Sequence, residues 1–418
     1  MTAAAEPYFY PLPDDDTTAR EVAEAFRAAY GREPDGVWAA PGRVNLIGEH
    51  VDYNGGLCMP FALPHRTFAA VGGRADDTLR VRSVQLPGST AADGGGWSGR
   101  LADVAPGAVD GWAGYAVGVP WALRQDGFDV PGLDAVVDGR VPVGAGLSSS
   151  AALECAVAVA LDDLAGLGLG GDDDGRARLA AACVRAENDI AGAPTGGMDQ
   201  AAALRSRAGS ALLLDCRAFA VEQIPFALAA GGLELLVIDT RAHHALVDGR
   251  YGSRRQACER AARLLGVPAL RDVAPDALDA ASDRVRAGVD DPDEADELVR
   301  RLRHVVTEID RVVGVADLLR AGRIRDVGPA LDASHASLRI DYEVSCPELD
   351  VACESARTAG ALGARMTGGG FGGSAIALVD AERTAAVAVA VAGAFADEGF
   401  APPAFLRAVP SAAASRVL

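Results

Sequence analysis

The segment 141–154, Val-Pro-Val-Gly-Ala-Gly-Leu-Ser-Ser-Ser-Ala-Ala-Leu-Glu, constrains the fold of this chain more than any other. An apolar strand ends there in a glycine and serine loop, and the loop opens an alanine-rich helix that keeps its character to about residue 164. Elsewhere, strand-like runs at 133–137, 211–214, 233–239 and 374–379 alternate with amphipathic helical stretches at 17–30, 176–190, 253–265 and 293–311. That alternation points to an α+β protein with mixed sheets and helices in each lobe, rather than an all-helical or all-strand one. At about 150 residues per domain, 418 residues make two domains. Their boundary is placed near 205–218, giving domains 1–210 and 211–418. Gly- and Asp-rich stretches at 88–99 and 166–175 read as surface loops.

Free backbone N–H groups, serine hydroxyls and the positive end of a helix together make an anion site suited to a triphosphate, with no lysine required. An ordinary serine-capped helix is the alternative, and it explains one serine but not three beside two glycines. Composition makes this loop matter, because all 39 basic residues are arginine. Without lysine there is no Schiff-base nucleophile, no pyridoxal-phosphate anchor, and no Walker A or protein-kinase lysine on the phosphates. The balance of 39 basic against 58 acidic residues leaves a net charge of −19, which repels nucleic acid and anionic membranes alike. Seven scattered cysteines with no CxxC pair indicate neither a disulfide framework nor a zinc site, and suggest a reducing compartment. The N-terminus lacks the basic flank and apolar core of a signal peptide, and the best apolar run, 385–396, is too short to span a bilayer. A soluble cytoplasmic protein is expected.

A second motif, 41–56, runs Pro41-Gly42-Arg43-Val44-Asn45-Leu46-Ile47-Gly48-Glu49-His50-Val51-Asp52-Tyr53-Asn54-Gly55-Gly56. It leads an apolar strand into a cluster of carboxylates, imidazole and phenol able to hydrogen-bond several hydroxyls of one small polyol; a polar turn is the alternative for any single residue. A third, 366–379, formally contains GxGxxG at Gly368, Gly370 and Gly373. A dinucleotide fingerprint follows a first strand and opens a helix, whereas these glycines lead into an apolar strand, so that reading is rejected. A glycine-rich backbone closing on a bound ligand is favoured over a plain tight turn.

Two acidic residues sit awkwardly. Glu187 falls in the apolar stripe of the 176–190 helix, where a buried carboxylate needs a cation, either an arginine or a metal such as Mg²⁺. Asp199 follows Pro194-Thr195-Gly196-Gly197-Met198 at a helix start; it is either an N-cap or a carboxylate placed to accept a hydroxyl proton in attack on a phosphate.

The three motifs, in this order and spacing, resemble those of the GHMP superfamily of small-molecule kinases, and 41–56 is similar to the galactokinase signature. Agreement continues in 197–200, in 240–255 with its late tyrosine and arginines, and in 341–350, so the resemblance covers nearly the whole chain. It implies the two-domain GHMP kinase fold and transfer of the ATP γ-phosphate to the anomeric C1 hydroxyl of α-D-galactose, giving galactose 1-phosphate and ADP, as in the Leloir route of galactose metabolism. By the same resemblance, Asp199 is the catalytic base and Arg43 stabilises the transferring phosphoryl group. Glu49, His50, Asp52, Gly196, Asp199 and Tyr251 hold the sugar, and Gly144, Ala145, Gly146, Leu147, Ser148, Ser149 and Ser150 cradle the phosphates. Ser150 and Glu187 serve Mg²⁺, with Ser149 a rival because three serines leave the register ambiguous. Expected partners are galactose and ATP, with no nucleic acid and no membrane, and the chain is expected to act as a monomer. A sugar-sensing protein that had abandoned catalysis would lack the base or the phosphate loop, and neither is missing. Departures from the family pattern are small for small: Thr195 and Gly197 for cysteine and isoleucine, Gly369 and Ser374 for alanine and cysteine.

Overall fold

In the computed structural model, which describes residues 6–86, 96–193, 195–242 and 249–418, strand Gly36–Asn45 is buried along its whole length because both its faces are covered. Val37 and Ala39 pack with Val22 and Phe26 of helix Asp15–Tyr30. Trp38 and Ala40, on the opposite face as the period of two requires, pack with helices Ala113–Gln125, Ser149–Ala165 and Asp173–Arg185. The Asp14 carboxylate caps the first of these helices by accepting from Thr17 N at 2.8 Å, and Gly31 closes it in the left-handed conformation. The six-stranded sheet runs in the order Ser415–Arg416, Gly36–Asn45, Pro60–Arg74, Gly132–Gly139, Thr78–Ser83, Gly96–Arg100. Its neighbours are antiparallel except Thr78–Ser83 beside Gly132–Gly139.

A five-stranded sheet orders Tyr8–Phe9, Ala404–Ala408, Leu233–Asp239, Ser374–Asp380 and Gly363–Thr367. A three-stranded one joins Leu57–Cys58, Ser210–Asp215 and Ala220–Pro225. The chain ends tie the halves together: Tyr8–Phe9 pairs into the sheet of the later strands, and Ser415–Arg416 pairs with Gly36–Asn45. Helix Pro292–Arg320 spans 29 residues against both. Among the described residues no helix is long and apolar enough to cross a membrane.

The expected mixed α+β architecture is present, and several boundaries move. Within 88–99, residues 88–95 lie outside the described residues, but 96–99 are not loop: they belong to strand Gly96–Arg100, whose hydrogen bonds come from pairing with Thr78–Ser83 rather than from local propensity. The 166–175 stretch contains a single 3₁₀ turn, Leu169–Gly171, and the start of helix Asp173–Arg185, capped by Asp172 accepting from Gly175 N. That helix gives way after Arg185 to a π-helical turn, Ala186–Ala191. The 293–311 helix continues to Arg320 because Val312, Val315, Ala316 and Leu319 prolong its apolar stripe. The 253–265 helix begins at Arg250.

Gly42 marks the one break in register between Gly36–Asn45 and Pro60–Arg74. A Cβ there would lie 2.6 Å from the Leu147 carbonyl and 2.7 Å from a Val141 methyl, so the strand can touch the 141–150 loop only without a side chain. Gly42→Ala is expected to lower stability by about 1–3 kcal/mol, read as a fall in the thermal midpoint; an unchanged midpoint would mean the loop is not held by this strand.

Candidate active site

The bulge at Gly42 aims the next side chain, Arg43, into the interior, where it is 6% exposed. Its Nε and Nη2 donate to Asp199 Oδ1 and Oδ2 at 2.8 and 2.9 Å, its Nη1 donates to Gly146 O at 2.6 Å, and its backbone N donates to Leu147 O at 3.1 Å. One arginine thus joins the signature strand, the glycine–serine loop and the first turn of helix Met198–Arg205. Asp199 is not an N-cap: Gly197 holds that position, and the carboxylate turns inward to Arg43 and to the Ser148 hydroxyl.

Ser148 adopts the left-handed conformation, φ 59°, just before helix Ser149–Ala165, and its hydroxyl, bound to Asp199, does not cap that helix. Among the described residues no other side chain does so. The N–H groups of the first turn are thus left without a side-chain cap, a helix end able to receive an anion, against the reading of an ordinary serine-capped helix. Gly144 is exposed, whereas the Ala145 and Leu147 side chains are buried, leaving the backbone as those two residues' means of meeting a ligand. The third motif is a hairpin loop between strands Gly363–Thr367 and Ser374–Asp380, which is incompatible with a dinucleotide fold and confirms its rejection. It is pinned against the phosphate loop: Ser374 Oγ donates to Ala145 O at 2.7 Å, and a Cβ on Gly368 would come within 3.2 Å of Gly146 O.

After the strand, Glu49 is buried, its Oε1 accepting from Gly368 N at 2.8 Å and Thr367 Oγ1 at 3.1 Å, with Arg365 Nη2 at 3.4 Å. His50 has both ring nitrogens engaged, Nδ1 with Tyr53 OH at 3.0 Å and Nε2 with Gly369 O at 3.1 Å. Burial pushes its pKa down to about 3, so the ring is neutral. Tyr251, at the start of helix Arg250–Leu265, stacks its ring centroid 5.3 Å from that of His50 and 5.5 Å from that of Tyr53. Asp52 heads a short turn beside Gly196, where a Cβ would overlap the Asp52 carboxylate. Desolvation, reinforced by the charges of Asp199 and Glu49, raises its pKa to about 6. Pro194 and residues 243–248, parts of the stretches singled out in the sequence, lie outside the described residues.

Glu187, on the π-helical turn, is also buried, and its partners are neutral: Gln200 Nε2 donates to Oε2 at 2.5 Å, and the Ser150 hydroxyl bonds it as well. Desolvation, then the Asp199 charge, push its pKa up to about 7. Sequence reading missed the residue on the other side of Gln200. Glu154, one turn after Ser150, accepts from the same Nε2 at 3.0 Å, and burial raises its pKa well above the carboxylate range. A single carboxylate within the alanine-rich stretch 151–161 was the available signal. Glu154 Oε1 and Gln200 Oε1 are buried without a partner among the described residues.

Hard oxygen donors crowded with negative charge and short of hydrogen bonds suit a divalent cation. Among the described residues no three acidic, histidine or cysteine side chains gather around one point. The arrangement therefore fits an ion that takes one or two protein ligands and completes its shell with phosphate and water.

Also missed were residues of the later half that grip the 48–50 turn. Glu308 Oε1 accepts from Gly48 N at 3.0 Å, His304 Nε2 lies 3.1 Å from Glu49 O, and Arg311 Nε pairs with Glu308 at 2.8 Å. His304 and Glu308 stand four apart within an apolar stripe, a pattern that could have exposed them.

Comparison with known proteins places this geometry in a family. Residues 24–73 match the galactokinase galactose-binding signature, 114–207 the GHMP kinases N-terminal domain and 315–397 the GHMP kinases C-terminal domain. The chain is 51% identical over 403 residues to a galactokinase of Streptomyces coelicolor, covering 96% of this chain and 100% of that one. It is 44% identical over 381 residues to a galactokinase of Mycobacterium tuberculosis, covering 91% and 99%. The crystal structure of Lactococcus lactis galactokinase complexed with galactose superposes with a TM-score of 0.85 at 32% identity, covering 94% of this chain and 98% of that one.

The raised Asp52 pKa has a sign that can be measured. The folded chain holds the Asp52 proton up to about pH 6, against 3.8 for the free group, so folding takes up a proton between these values and stability falls as pH rises through that window. Asp52→Asn is expected to reduce this slope in thermal midpoints recorded across the same window; an unaltered slope would place Asp52 in an ordinary solvated setting.

Proposed function

The chain belongs to the galactokinases of the GHMP kinase superfamily, and on that premise we propose how its own residues divide the phosphorylation of the galactose C1 hydroxyl by ATP. The observation that carries the proposal is the bidentate Arg43–Asp199 pair beside an uncapped helix N-terminus. Residues 1–210 and 211–418 would form the two lobes, with galactose against the 49–52 turn, Gly196 and Tyr251, and the ATP phosphates along 144–150.

Asp199 Oδ2 accepts from both Arg43 and Ser148, whereas Oδ1 accepts from Arg43 alone among the described residues. A carboxylate oxygen has two lone pairs, so Oδ1 keeps one for the sugar. In the proposed step the C1 hydroxyl gives its proton to Asp199 Oδ1 while its oxygen forms the bond to the γ-phosphorus. The bond from that phosphorus to the β–γ bridging oxygen breaks, and ADP leaves with the electron pair. Phosphoryl transfer passes through a loose transition state and asks mainly for positioning and neutralisation of charge. Arg43, the amides of the loop and the helix N-terminus supply these from the protein.

Ser150 and Glu187 would hold Mg²⁺, which when bound neutralises the phosphate oxygens. The Ser150–Glu187 bond supports Ser150 over Ser149. His50, with both nitrogens committed, would shape the sugar site as a wall more than as a donor. Action as a cytoplasmic monomer is part of the same proposal, and all seven cysteines being free accords with a reducing compartment.

Asp199→Asn is expected to leave galactose affinity, by calorimetry, within a few-fold while cutting turnover by about 10²-fold or more; unaltered turnover would remove Asp199 from the base role. Arg43→Ala is expected to lower kcat by about 10²–10³-fold. A near-native rate would show that metal and loop carry the phosphate charge without it.

A further inference from the structure

We infer that Tyr342 is a positioning residue for galactose, acting through the Tyr53 hydroxyl to hold the orientation of His50. The inference rests on the proposed placement of the sugar against the 49–52 turn, and on a run of hydrogen bonds whose direction can be deduced. A carbonyl only accepts, so His50 Nε2, 3.1 Å from Gly369 O, must carry the ring proton. In a neutral ring Nδ1 is then an acceptor, and Tyr53 OH, 3.0 Å away, donates to it. With its proton so committed, Tyr53 OH accepts from Tyr342 OH at 2.7 Å, and Tyr342 OH in turn accepts from the Cys258 thiol at 3.1 Å. Donation therefore runs one way, from Cys258 through Tyr342 and Tyr53 to His50 and on to the third-motif carbonyl. The Gly369 carbonyl obliges Tyr53 to spend its own proton on His50, and the Tyr342 hydroxyl, donating to the Tyr53 oxygen, holds that donor in line with Nδ1.

Tyr342 itself is fully buried, on the π-helical turn Leu338–Tyr342 of the later half. It is held there from several sides. Arg254 Nε donates to its carbonyl at 2.8 Å, Arg301 Nη1 donates to the neighbouring Asp341 carbonyl at 2.5 Å, and the His304 ring packs 4.4 Å from its ring. The anchor therefore does not move with the ligand, and its influence on the sugar must pass through Tyr53. His50 is the element at stake, because it sits in the left-handed conformation, φ 60°, a state that a histidine holds only when its surroundings fix it. Its ring also stacks on Tyr251 and ties the signature turn to Gly369. If the ring turned, the sugar wall would lose both contacts together. The motif 341–350, noted in the sequence as part of the resemblance but given no role there, thus acquires one.

Tyr342→Phe tests this, with Tyr53→Phe and the double variant completing a cycle. The expected result is a rise of about 5-fold or more in the KM for galactose, with kcat and the KM for ATP within about 2-fold. The double variant is expected to match the single ones, because groups acting in one chain are not additive. Nitrogen-15 spectra of the histidine rings should give the Nε2–H form for His50 in the parent, and in Tyr342→Phe the same form with a shifted Nδ1 signal as the Tyr53 hydrogen bond loosens. An unchanged KM for galactose, additive effects in the cycle, or a loss shared equally by both substrates in step with the thermal midpoint would each overturn the inference. Should Tyr342→Phe fail to fold, Tyr53→Phe alone carries the same kinetic and spectral test, with the same outcomes. Failure of the parent enzyme to phosphorylate galactose would instead overturn the functional reading, so the two can be told apart.

Discussion

The fork between Arg43 and Asp199 is the interaction on which the rest of the site depends. A planar guanidinium reaches both oxygens of one carboxylate and still has a nitrogen for the Gly146 carbonyl. It thereby sets the distance between the signature strand, the glycine–serine loop and the helix that carries Asp199. Burying such a pair costs desolvation, and its return is orientation more than stability. Gly42, by allowing the strand to touch Leu147, and Ser148, by turning its hydroxyl to Asp199 instead of capping its own helix, serve the same alignment.

Around that fork negative charge accumulates beyond what the protein neutralises. Asp52 is driven up to about 6 and Glu187 to about 7, burial raises Glu154 as well, and two buried oxygens have no partner among the described residues. Such frustration in the folded chain marks a place built for a cation and a polar ligand rather than for rest. The acidic excess, 39 basic against 58 acidic residues with no lysine, has its local counterpart here. Only one arginine enters the fork, and in the proposed reaction the phosphates would be left to amides, a helix end and a metal. Elsewhere the same kind of buried carboxylate is satisfied: Glu308, paired with Arg311 and bonded to Gly48 N, has its pKa lowered to about 2 and serves as scaffold.

Much of this was legible in the chain. Glycines that only a tight approach requires, serines at a helix start and carboxylates in an apolar stripe are local patterns, and the structure brings Arg43, Ser148 and Asp199 together and sets Ser150 beside Glu187. What could not be read is what comes from distant pairing. Trp97 became a strand residue because Val81 lay opposite it, and the ends of the chain crossed between sheets through Tyr8–Phe9 and Ser415–Arg416. Likewise His304, Glu308 and Tyr342 contribute to the 48–53 turn from more than 240 residues away, the separations being 255, 260 and 289; the apolar stripe marks His304 and Glu308 as buried but does not say what they touch. The bonds that fix His50 depend on tautomer and direction, which only three-dimensional contacts reveal.

A single substitution asks whether the fork's geometry or merely its charge matters. Arg43→Lys would introduce the chain's first lysine, keeping the positive charge while giving up the planar fork that spans Asp199 and Gly146. Steady-state kinetics with galactose and ATP should then give a kcat/KM lower by about 10²-fold or more, the scale set by losing preorganised donors in a buried site. A kcat/KM close to that of the parent would contradict the account, because a point charge would then suffice and the alignment built around Arg43 would not be what the reaction requires.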